Sequence, residues 1–245
     1  MTKKDNIFAG QDYKVTNFAF DEKVTSVFSD MIKRSVPGYE NVILMIGLLA
    51  ERFVKDNTNC YDLGCSLGAS AISMQKYVTA KNCLIHGIDT SEPMIKKATE
   101  LVSITNEQFQ NAQIQLHCED INTFQYNNAS MIVLNFTLQF LALKQRQSLL
   151  EKIYGGLNNG GCLVLSEKIT FDDQQTSELF IDIYHKFKMH NGYSEMEVSQ
   201  KRNALENVLI PETFATHKQR LLDIGFKKVE LWFQCFNFMS IVAFK

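Results

Sequence analysis

The stretch "NCYDLGCSLGASAISM", residues 59 to 74, decides the fold, and it admits two interpretations. Gly64, Ser66 and Gly68 form the pattern G-x-S-x-G, which in α/β-hydrolases is the strained turn that exposes a serine nucleophile. The same residues also form a glycine-rich turn between a short extended run and a segment of helical composition. A turn of that kind lets a nucleotide approach the backbone at a helix N-terminus. The first interpretation requires a nucleophilic Ser66, whereas the second requires only a small side chain.

Beyond this turn the chain alternates short apolar runs with helical segments. Four of the runs have the length and composition of buried strands: "CLIHGID" at 83 to 89, "QIQLHCED" at 113 to 120, "SMIVLNF" at 130 to 136 and "GCLVLSEK" at 161 to 168. This alternation predicts a doubly wound, mostly parallel α/β sheet, with ligands at the carboxyl ends of its strands.

The two ends of the chain depart from the alternation. Helical periodicity predicts N-terminal helices over about 20–55, with Val24, Phe28 and Met31 on one face of the first. Residues 172–224 are helical in composition with no strand pattern, and we expect them to form a cap near the carboxyl edge of the sheet. The final "KKVELWFQCFNFMSIVAFK" predicts an antiparallel hairpin. A mostly parallel, seven-stranded sheet closed in this way resembles the Rossmann-like class I S-adenosylmethionine-dependent methyltransferase fold.

Composition limits the class of protein. With 245 residues, 45% of them hydrophobic and 21% charged, the chain is expected to form a single globular domain over 1–245. A net charge of -2 argues against direct nucleic-acid binding. The six cysteines form no C-x-x-C pair, which favours free thiols in a reducing compartment over zinc ligands. Because neither a signal core nor a long apolar run occurs, the sequence predicts a cytoplasmic protein without a membrane span.

Polar residues end three of the predicted strands. Asp89 lies about 20 residues after the glycine turn, where a carboxylate can accept from the hydroxyls of an adenosine ribose. Asp120 is placed to accept from an adenine amino group, and Asn135 closes the next strand. Each of them has an alternative role as a solvated turn or helix-cap residue. Three such residues at one edge of a sheet favour a nucleotide site.

The hydrolase interpretation requires further elements. An elbow of this type follows several strands, and an acid and then a histidine come after it. Only helices precede the first predicted strand here. The histidines His185, His190 and His217 lie downstream, and Asp172 or Asp173 can supply the acid, so the interpretation stays open. The sequence favours Ser66 as a small loop residue.

Six phrases are more specific than any of these patterns: "FSDMIKRSVPGY", "YDLGCSLGA", "ASMIVLNFTLQFL", "LVLSEK", "NGYSEMEVSQKRNALENV" and "ELWFQCFNF". They occur in this order over nearly the whole chain, and together they resemble the carboxy-S-adenosyl-L-methionine synthase family. The fifth phrase lies outside the shared nucleotide-binding fold, which makes the resemblance specific to this family.

The resemblance implies a reaction of two substrates without a metal. Prephenate loses its ring carboxylate and becomes phenylpyruvate, while the methyl group of S-adenosyl-L-methionine is carboxylated to give carboxy-S-adenosyl-L-methionine. A homodimer is implied, as is a separate tRNA carboxymethyltransferase that uses the product to modify a wobble uridine. An ordinary S-adenosylmethionine-dependent methyltransferase is the main alternative. The positions that match the family's ligand-binding residues are Tyr39, Gly64, Cys65, Ser66, Asp89, Thr90, Asp120, Ile121, Asn135 and Arg202.

Arg202 is the candidate catalytic residue. A sulfonium acidifies its methyl group, and the hydroxide expelled from prephenate can take the proton to give an ylide, so no protein base is required. The protein must then supply positioning, exclusion of water and a cation for the new carboxylate. If 195–209 is a helix, Arg202 interrupts an inward apolar stripe, while Lys201 turns away and pairs with Glu197. Pairing of Arg202 with Glu206 is the structural alternative.

Overall fold

The structure is a computed structural model that describes residues 3–9, 19–205 and 208–245. The helices are α1 (Glu22–Ser35), α2 (Tyr39–Phe53), α3 (Ala69–Tyr77), α4 (Glu92–Gln108), α5 (Leu143–Gly156), α6 (Gln174–His190), α7 (Glu195–Leu205) and α8 (Phe214–Ile224). The strands are β1 (Asn59–Leu63), β2 (Cys83–Asp89), β3 (Ala112–Cys118), β4 (Ala129–Asn135), β5 (Leu157–Thr170), β6 (Glu212–Thr213), β7 (Lys228–Cys235) and β8 (Phe238–Phe244). A short 3-10 turn, Leu138–Phe140, follows β4.

Seven strands form the main sheet in the order β3-β2-β1-β4-β5-β8-β7, and the short β6 pairs with β5. The pairs from β3 to β5 are parallel, and β8 is antiparallel to both β5 and β7. The predicted mostly parallel sheet with a C-terminal antiparallel hairpin is thus confirmed. Because β1 lies between β2 and β4, the winding direction reverses there, and a crevice opens at the carboxyl ends of these strands.

Burial on both faces explains why the central strands are continuous apolar runs. In β4, every residue from Ala129 to Leu134 is buried. Alternate residues face opposite sides of the sheet, so Ile132 and Leu134 belong to one hydrophobic cluster and Met131 and Val133 to another. The sheet therefore separates two cores, and helices cover both faces.

The N-terminal helices begin and end at local sequence signals. The Asp21 side chain accepts from the Val24 N–H at 2.9 Å and caps α1. Gly38, with φ of 71°, starts α2, and a Cβ at this position would overlap the Phe233 ring. Only glycine accommodates both this backbone conformation and this approach. Tyr39 is thereby fixed as the first residue of α2, beside the crevice.

The region 172–224 contains more than helices. The expectation of no strand in this range is wrong, because β6 pairs with the end of β5. Its Glu212 binds the guanidinium groups of both Arg146 and Arg220, and these ion pairs hold the short strand in place. Helix α6 packs against α1 and α7, whereas α8 packs against α5 and β7. Of the helices described, none is long and apolar enough to cross a membrane.

Candidate active site

A cavity of about 600 Å³ lies at the carboxyl ends of β1, β2 and β4, with α1, α2, α6 and α7 around it. Its size is typical of a pocket for a small-molecule ligand. All ten positions selected from the sequence line this one cavity: Tyr39, Gly64, Cys65, Ser66, Asp89, Thr90, Asp120, Ile121, Asn135 and Arg202.

The glycine turn after β1 forms one wall. Gly64 has φ of 72°, and a Cβ there would overlap the Thr137 side chain, so the turn cannot carry a larger residue. Ser66 has φ of 49°, which is uncommon for a residue other than glycine. Its backbone N–H donates to Oδ2 of Asp89 at 2.9 Å. That hydrogen bond stabilises the turn in a shape that leaves open space above its backbone.

Asp89, the last residue of β2, holds two backbone segments together. In addition to the Ser66 N–H, it accepts from the Ser91 N–H through Oδ1 at 2.9 Å. Burial raises the pKa of this carboxyl, while the hydrogen bonds from Ser91, Ser66 and Thr90 act in the opposite direction. Each carboxylate oxygen has a second lone pair. Asp89 can therefore position the turn and still accept hydrogen bonds from a ligand.

Asp62 also lines the cavity, although it is not among the ten positions predicted from the sequence. It lies in β1, is 2% exposed and accepts from the Ala71 N–H at 3.0 Å. Burial, with a smaller contribution from the nearby Asp89, raises its pKa to about 7. The sequence signal for Asp62 is a carboxylate two residues before Gly64. Because Asp62 lies inside β1 and does not end it, the search for polar residues at strand ends does not find it. A bound cation would favour its ionised form.

The segment after β3 places two of the selected residues. Asp120 lies two residues beyond the strand rather than at its end, because β3 stops at Cys118. Its Oδ1 accepts from the backbone and side-chain nitrogens of Asn122 at 2.8 and 2.9 Å, so this oxygen is engaged in a turn. Ile121 is buried and offers an apolar surface beside it. A flat, partly polar group suits this corner of the cavity.

Asn135 leaves a buried acceptor without a partner. Its Nδ2 donates to Ser70 Oγ at 3.3 Å, whereas its Oδ1 has no hydrogen-bond partner among the described residues. A buried polar atom of this kind usually has a ligand or water partner. Tyr39 lies nearby, with its ring centroid 6.4 Å from that of Phe136. Burial raises the pKa of Tyr39, so the phenol stays neutral.

The opposite wall, formed by β5, α6 and α7, is cationic. Lys168, Lys188, Lys201, Arg202 and His185 all line the cavity there. Burial is the main cause that lowers the pKa of each of the three lysines, to about 8 for Lys168 and Lys201 and about 7 for Lys188. The carboxylates lie at one end of the cavity and the cations at the other. This polarity suits a pair of ligands of opposite charge.

The predicted orientation of α7 is wrong. The helix buries Val198, Lys201 and Ala204, and Arg202 is an exposed residue at the rim of the cavity. Lys201 donates to Ser35 Oγ at 2.8 Å and lies 3.7 Å from Asp5, and these partners compensate its burial. The predicted Lys201–Glu197 pair does not form, because the Glu197 carboxylate accepts from Ser194. The alternative pairing of Arg202 with Glu206 falls outside the described residues.

The hydrolase arrangement is not assembled in the described part of the chain. No hydrogen bond joins Ser66 to any of the five histidines, all of which are described. Asp173, one of the two candidate acids, instead accepts from the Thr176 N–H at 2.7 Å and caps α6. Ser66 therefore lacks the base that a serine nucleophile requires. It is the small loop residue of the second interpretation.

Comparison with known proteins identifies the family. A methyltransferase-domain family profile matches residues 61–161. A carboxy-S-adenosyl-L-methionine synthase from Actinobacillus succinogenes is 53% identical, with 99% of each chain covered. The synthase of the same name from Aliivibrio fischeri is 51% identical over the whole of both chains. The chain belongs to the carboxy-S-adenosyl-L-methionine synthase family.

Solved structures support the fold independently of this family. A putative S-adenosylmethionine-dependent methyltransferase from Methanococcus maripaludis aligns with a TM-score of 0.60 at 19% identity, covering 95% of this chain and 97% of that chain. Human N-acetylserotonin methyltransferase, solved with its methyl donor, also has a TM-score of 0.60 at 18% identity, covering 91% of this chain and 55% of that chain. The carboxy-S-adenosyl-L-methionine synthase family thus shares its fold with methyltransferases. In the described residues, no cluster of three or more histidine, cysteine or acidic side chains is arranged to hold a metal ion.

Proposed function

We propose that this enzyme converts S-adenosyl-L-methionine and prephenate into carboxy-S-adenosyl-L-methionine, phenylpyruvate and water. One observation carries the proposal: in a chain of this family, a single cavity has carboxylates at one end and cations at the other. The carboxylate end suits a sulfonium nucleoside, and the cationic end suits a substrate with two carboxylates. An ordinary methyltransferase needs no such anion site beside its methyl donor.

The carboxylate end would hold the nucleoside. Asp89 accepts from the ribose hydroxyls, and Thr90 lies next to it. The turn from Gly64 to Ser66, which includes Cys65, approaches the ligand with its backbone. Because burial beside Asp62 and Asp89 raises the pKa of Cys65, its thiol is a packing group and not a nucleophile.

The remaining nucleoside contacts come from other elements. Asp120 and Ile121 border the adenine, and the unpartnered Oδ1 of Asn135 is an acceptor for a polar group of the ligand. Asp62 is ionised when a positive charge binds beside it and thereby neutralises part of the sulfonium amino acid. Tyr39 and Phe136 exclude water from the end of the cavity.

The chemistry balances without a protein base. As prephenate becomes aromatic, it releases carbon dioxide and hydroxide. The sulfonium makes the adjoining methyl group acidic, so the hydroxide takes one methyl proton and leaves as water, and the methyl carbon bonds to the carbon dioxide. The protein holds both substrates together and excludes bulk water. Arg202 binds the new carboxylate at the rim, since a guanidinium pairs with a carboxylate through two hydrogen bonds.

We propose a homodimer in the cytoplasm, whose product is used by a separate tRNA carboxymethyltransferase. Resemblance to the family supports each of these points. Sedimentation velocity of the purified protein tests the dimer, because a monomer has the mass of one 28.0 kDa chain.

Product analysis tests the proposed reaction. The enzyme is incubated with S-adenosyl-L-methionine, with and without prephenate. The nucleosides and oxo acids are then separated, and they are identified and quantified by mass spectrometry. We expect carboxy-S-adenosyl-L-methionine and phenylpyruvate in equal amounts, once the phenylpyruvate that prephenate forms without enzyme is subtracted. Neither product should form in the absence of prephenate. Formation of S-adenosylhomocysteine as the only nucleoside product would instead identify an ordinary methyltransferase. The Asp89→Ala variant is the control for a contaminating activity, because it should reduce both products together.

A further inference from the structure

Two lysines meet over one aromatic ring in the cationic wall. Lys168 is on β5 and Lys188 is on α6, and both line the cavity. Their Nζ atoms lie 5.0 and 4.5 Å from the centroid of the Tyr184 ring. Two elements that are distant in sequence thus bring two ammonium groups to one side of the cavity, in contact with the same aromatic surface.

Neither of these lysines has an anionic partner in the described residues. No carboxylate oxygen of the described residues lies within 4.0 Å of either Nζ, whereas Lys201 in the same wall is close to Asp5 and hydrogen-bonded to Ser35. Lys188 is 3% exposed and lines the cavity. Buried lysines are normally paired. Among the described residues, the buried Lys188 and the half-buried Lys168 therefore lack a counterion in this wall.

Neighbouring cations further favour the binding of an anion beside these two lysines. Lys188 faces Lys168 from β5 and both Lys201 and Arg202 from α7, and His185 is on its own helix. Burial and these neighbours together lower the pKa of Lys188 to about 7. An anion placed between Lys168 and Lys188 would reverse this effect, since it favours the charged form of both groups. The arrangement is that of an anion site and not of a stabilising ion-pair network.

We propose that Lys168 and Lys188 form the subsite for the 2-oxoacid carboxylate of the second substrate. This inference rests on the proposed function and specifies where its dianionic substrate is held. The ring carboxylate cannot be the group held there, because it leaves as neutral carbon dioxide. An ion pair to a departing carboxylate stabilises the ground state more than the transition state and slows the reaction. The 2-oxoacid carboxylate keeps its charge throughout, so binding it costs nothing in rate.

Methionine substitutions test the subsite. Lys168→Met and Lys188→Met keep the apolar stem and remove the charge, and because no partner is left unpaired, both variants should fold. We expect each to raise the KM for prephenate at least tenfold and to leave the Kd for S-adenosyl-L-methionine within twofold of wild type. Lys186→Met is the matched control, since Lys186 is on α6 but exposed and outside the cavity. It should leave both constants unchanged.

The outcomes separate the subsite from the proposed reaction. If wild type forms the carboxylated product and both lysine variants keep its KM for prephenate within twofold, the subsite is refuted and the reaction stands. Equal losses of prephenate and S-adenosyl-L-methionine binding also refute it, because they indicate a general structural role. If wild type forms no carboxylated product, the reaction fails, and calorimetry with phenylpyruvate tests the subsite alone. Weaker phenylpyruvate binding in Lys188→Met, but not in Lys186→Met, then supports it, and equal binding refutes it.

Discussion

Replacement of Asp62 by asparagine tests whether this buried carboxylate destabilises the unliganded protein at neutral pH. Asp62 is 2% exposed and accepts a hydrogen bond from the Ala71 N–H. Asparagine has nearly the same shape, and its oxygen can accept the same hydrogen bond. The substitution therefore removes a titratable group and leaves the packing largely intact.

The direction of the effect follows from proton binding. The pKa of Asp62 is about 7 in the folded protein and about 4 in an unfolded chain. Between these values the folded state binds more protons than the unfolded state, so this group's contribution to stability is fully present below about pH 4 and is lost as the pH rises through about 7. The loss is about 1.4 kcal/mol per pH unit, on the order of 4 kcal/mol in total.

Urea unfolding, followed by the fluorescence of Trp232, measures this effect at pH 4.5, 6 and 8. We expect the free energy of unfolding of Asp62→Asn, relative to wild type, to rise by 2 kcal/mol or more over this range, a lower figure that allows for relaxation around the buried charge. Asp223→Asn, which changes an exposed aspartate on α8, is the control and should show no such rise. Parallel pH profiles for wild type and Asp62→Asn would refute the reasoning.

The same variant reports on ligand binding. S-adenosyl-L-methionine brings a positive charge to the site and favours ionised Asp62. Its affinity for wild type should therefore rise with pH up to about 7, the pKa of that carboxyl, and binding at pH 6 should release a proton. Calorimetry in buffers of different ionisation enthalpy measures that proton, which should be absent in Asp62→Asn. Equal proton release in both proteins would show that another group is responsible.

Three further substitutions have distinct expected outcomes. Asp89→Ala should weaken S-adenosyl-L-methionine binding by about 1.5 to 3 kcal/mol, the usual range for hydrogen bonds to a charged group; calorimetry with unchanged affinity would remove Asp89 from the site. Arg202→Ala should weaken binding of the carboxylated product relative to S-adenosyl-L-methionine by about 1 to 2 kcal/mol, a reduced value because the residue is exposed; an unchanged ratio of the two affinities would exclude the contact. Ser66→Ala should bind S-adenosyl-L-methionine within about tenfold of wild type, and labelling of Ser66 by a fluorophosphonate would contradict its role as a loop residue.

The sequence predicts the sheet well because the central strands are buried on both faces. Such strands appear as continuous apolar runs, and the polar residues Asp89 and Asn135 end two of them where the chain leaves the core. The sequence predicts Asp120 at a strand end although β3 stops two residues earlier, because the polar "CED" gives no sharp boundary. The local sequence shows approximately where a strand ends. The last residue that pairs in the sheet, however, depends on the neighbouring strand.

Residues of the site inside regular elements could not be found in this way. Lys168 is the last residue of its predicted strand, but β5 continues to Thr170. Asp62 lies inside β1, which ends at Leu63, and Lys188 is one more charge on an amphipathic helix. Periodicity also predicts the wrong buried face for α7, because the burial of Lys201 is compensated by Asp5 and Ser35, which lie far away in the chain. Helical periodicity cannot predict a buried lysine whose partners belong to another segment.

The fate of the methyl hydrogens tests the central claim most directly. S-adenosyl-L-methionine with a fully deuterated methyl group is incubated with the enzyme and prephenate, and the mass of the nucleoside product is measured by mass spectrometry. Because one carbon–deuterium bond must break before the methyl carbon bonds to carbon dioxide, the product should keep two deuterons, gain one carboxyl group and form only together with phenylpyruvate. A carboxylated product with three deuterons, or transfer of the intact methyl group to give S-adenosylhomocysteine without prephenate, would contradict the proposed reaction.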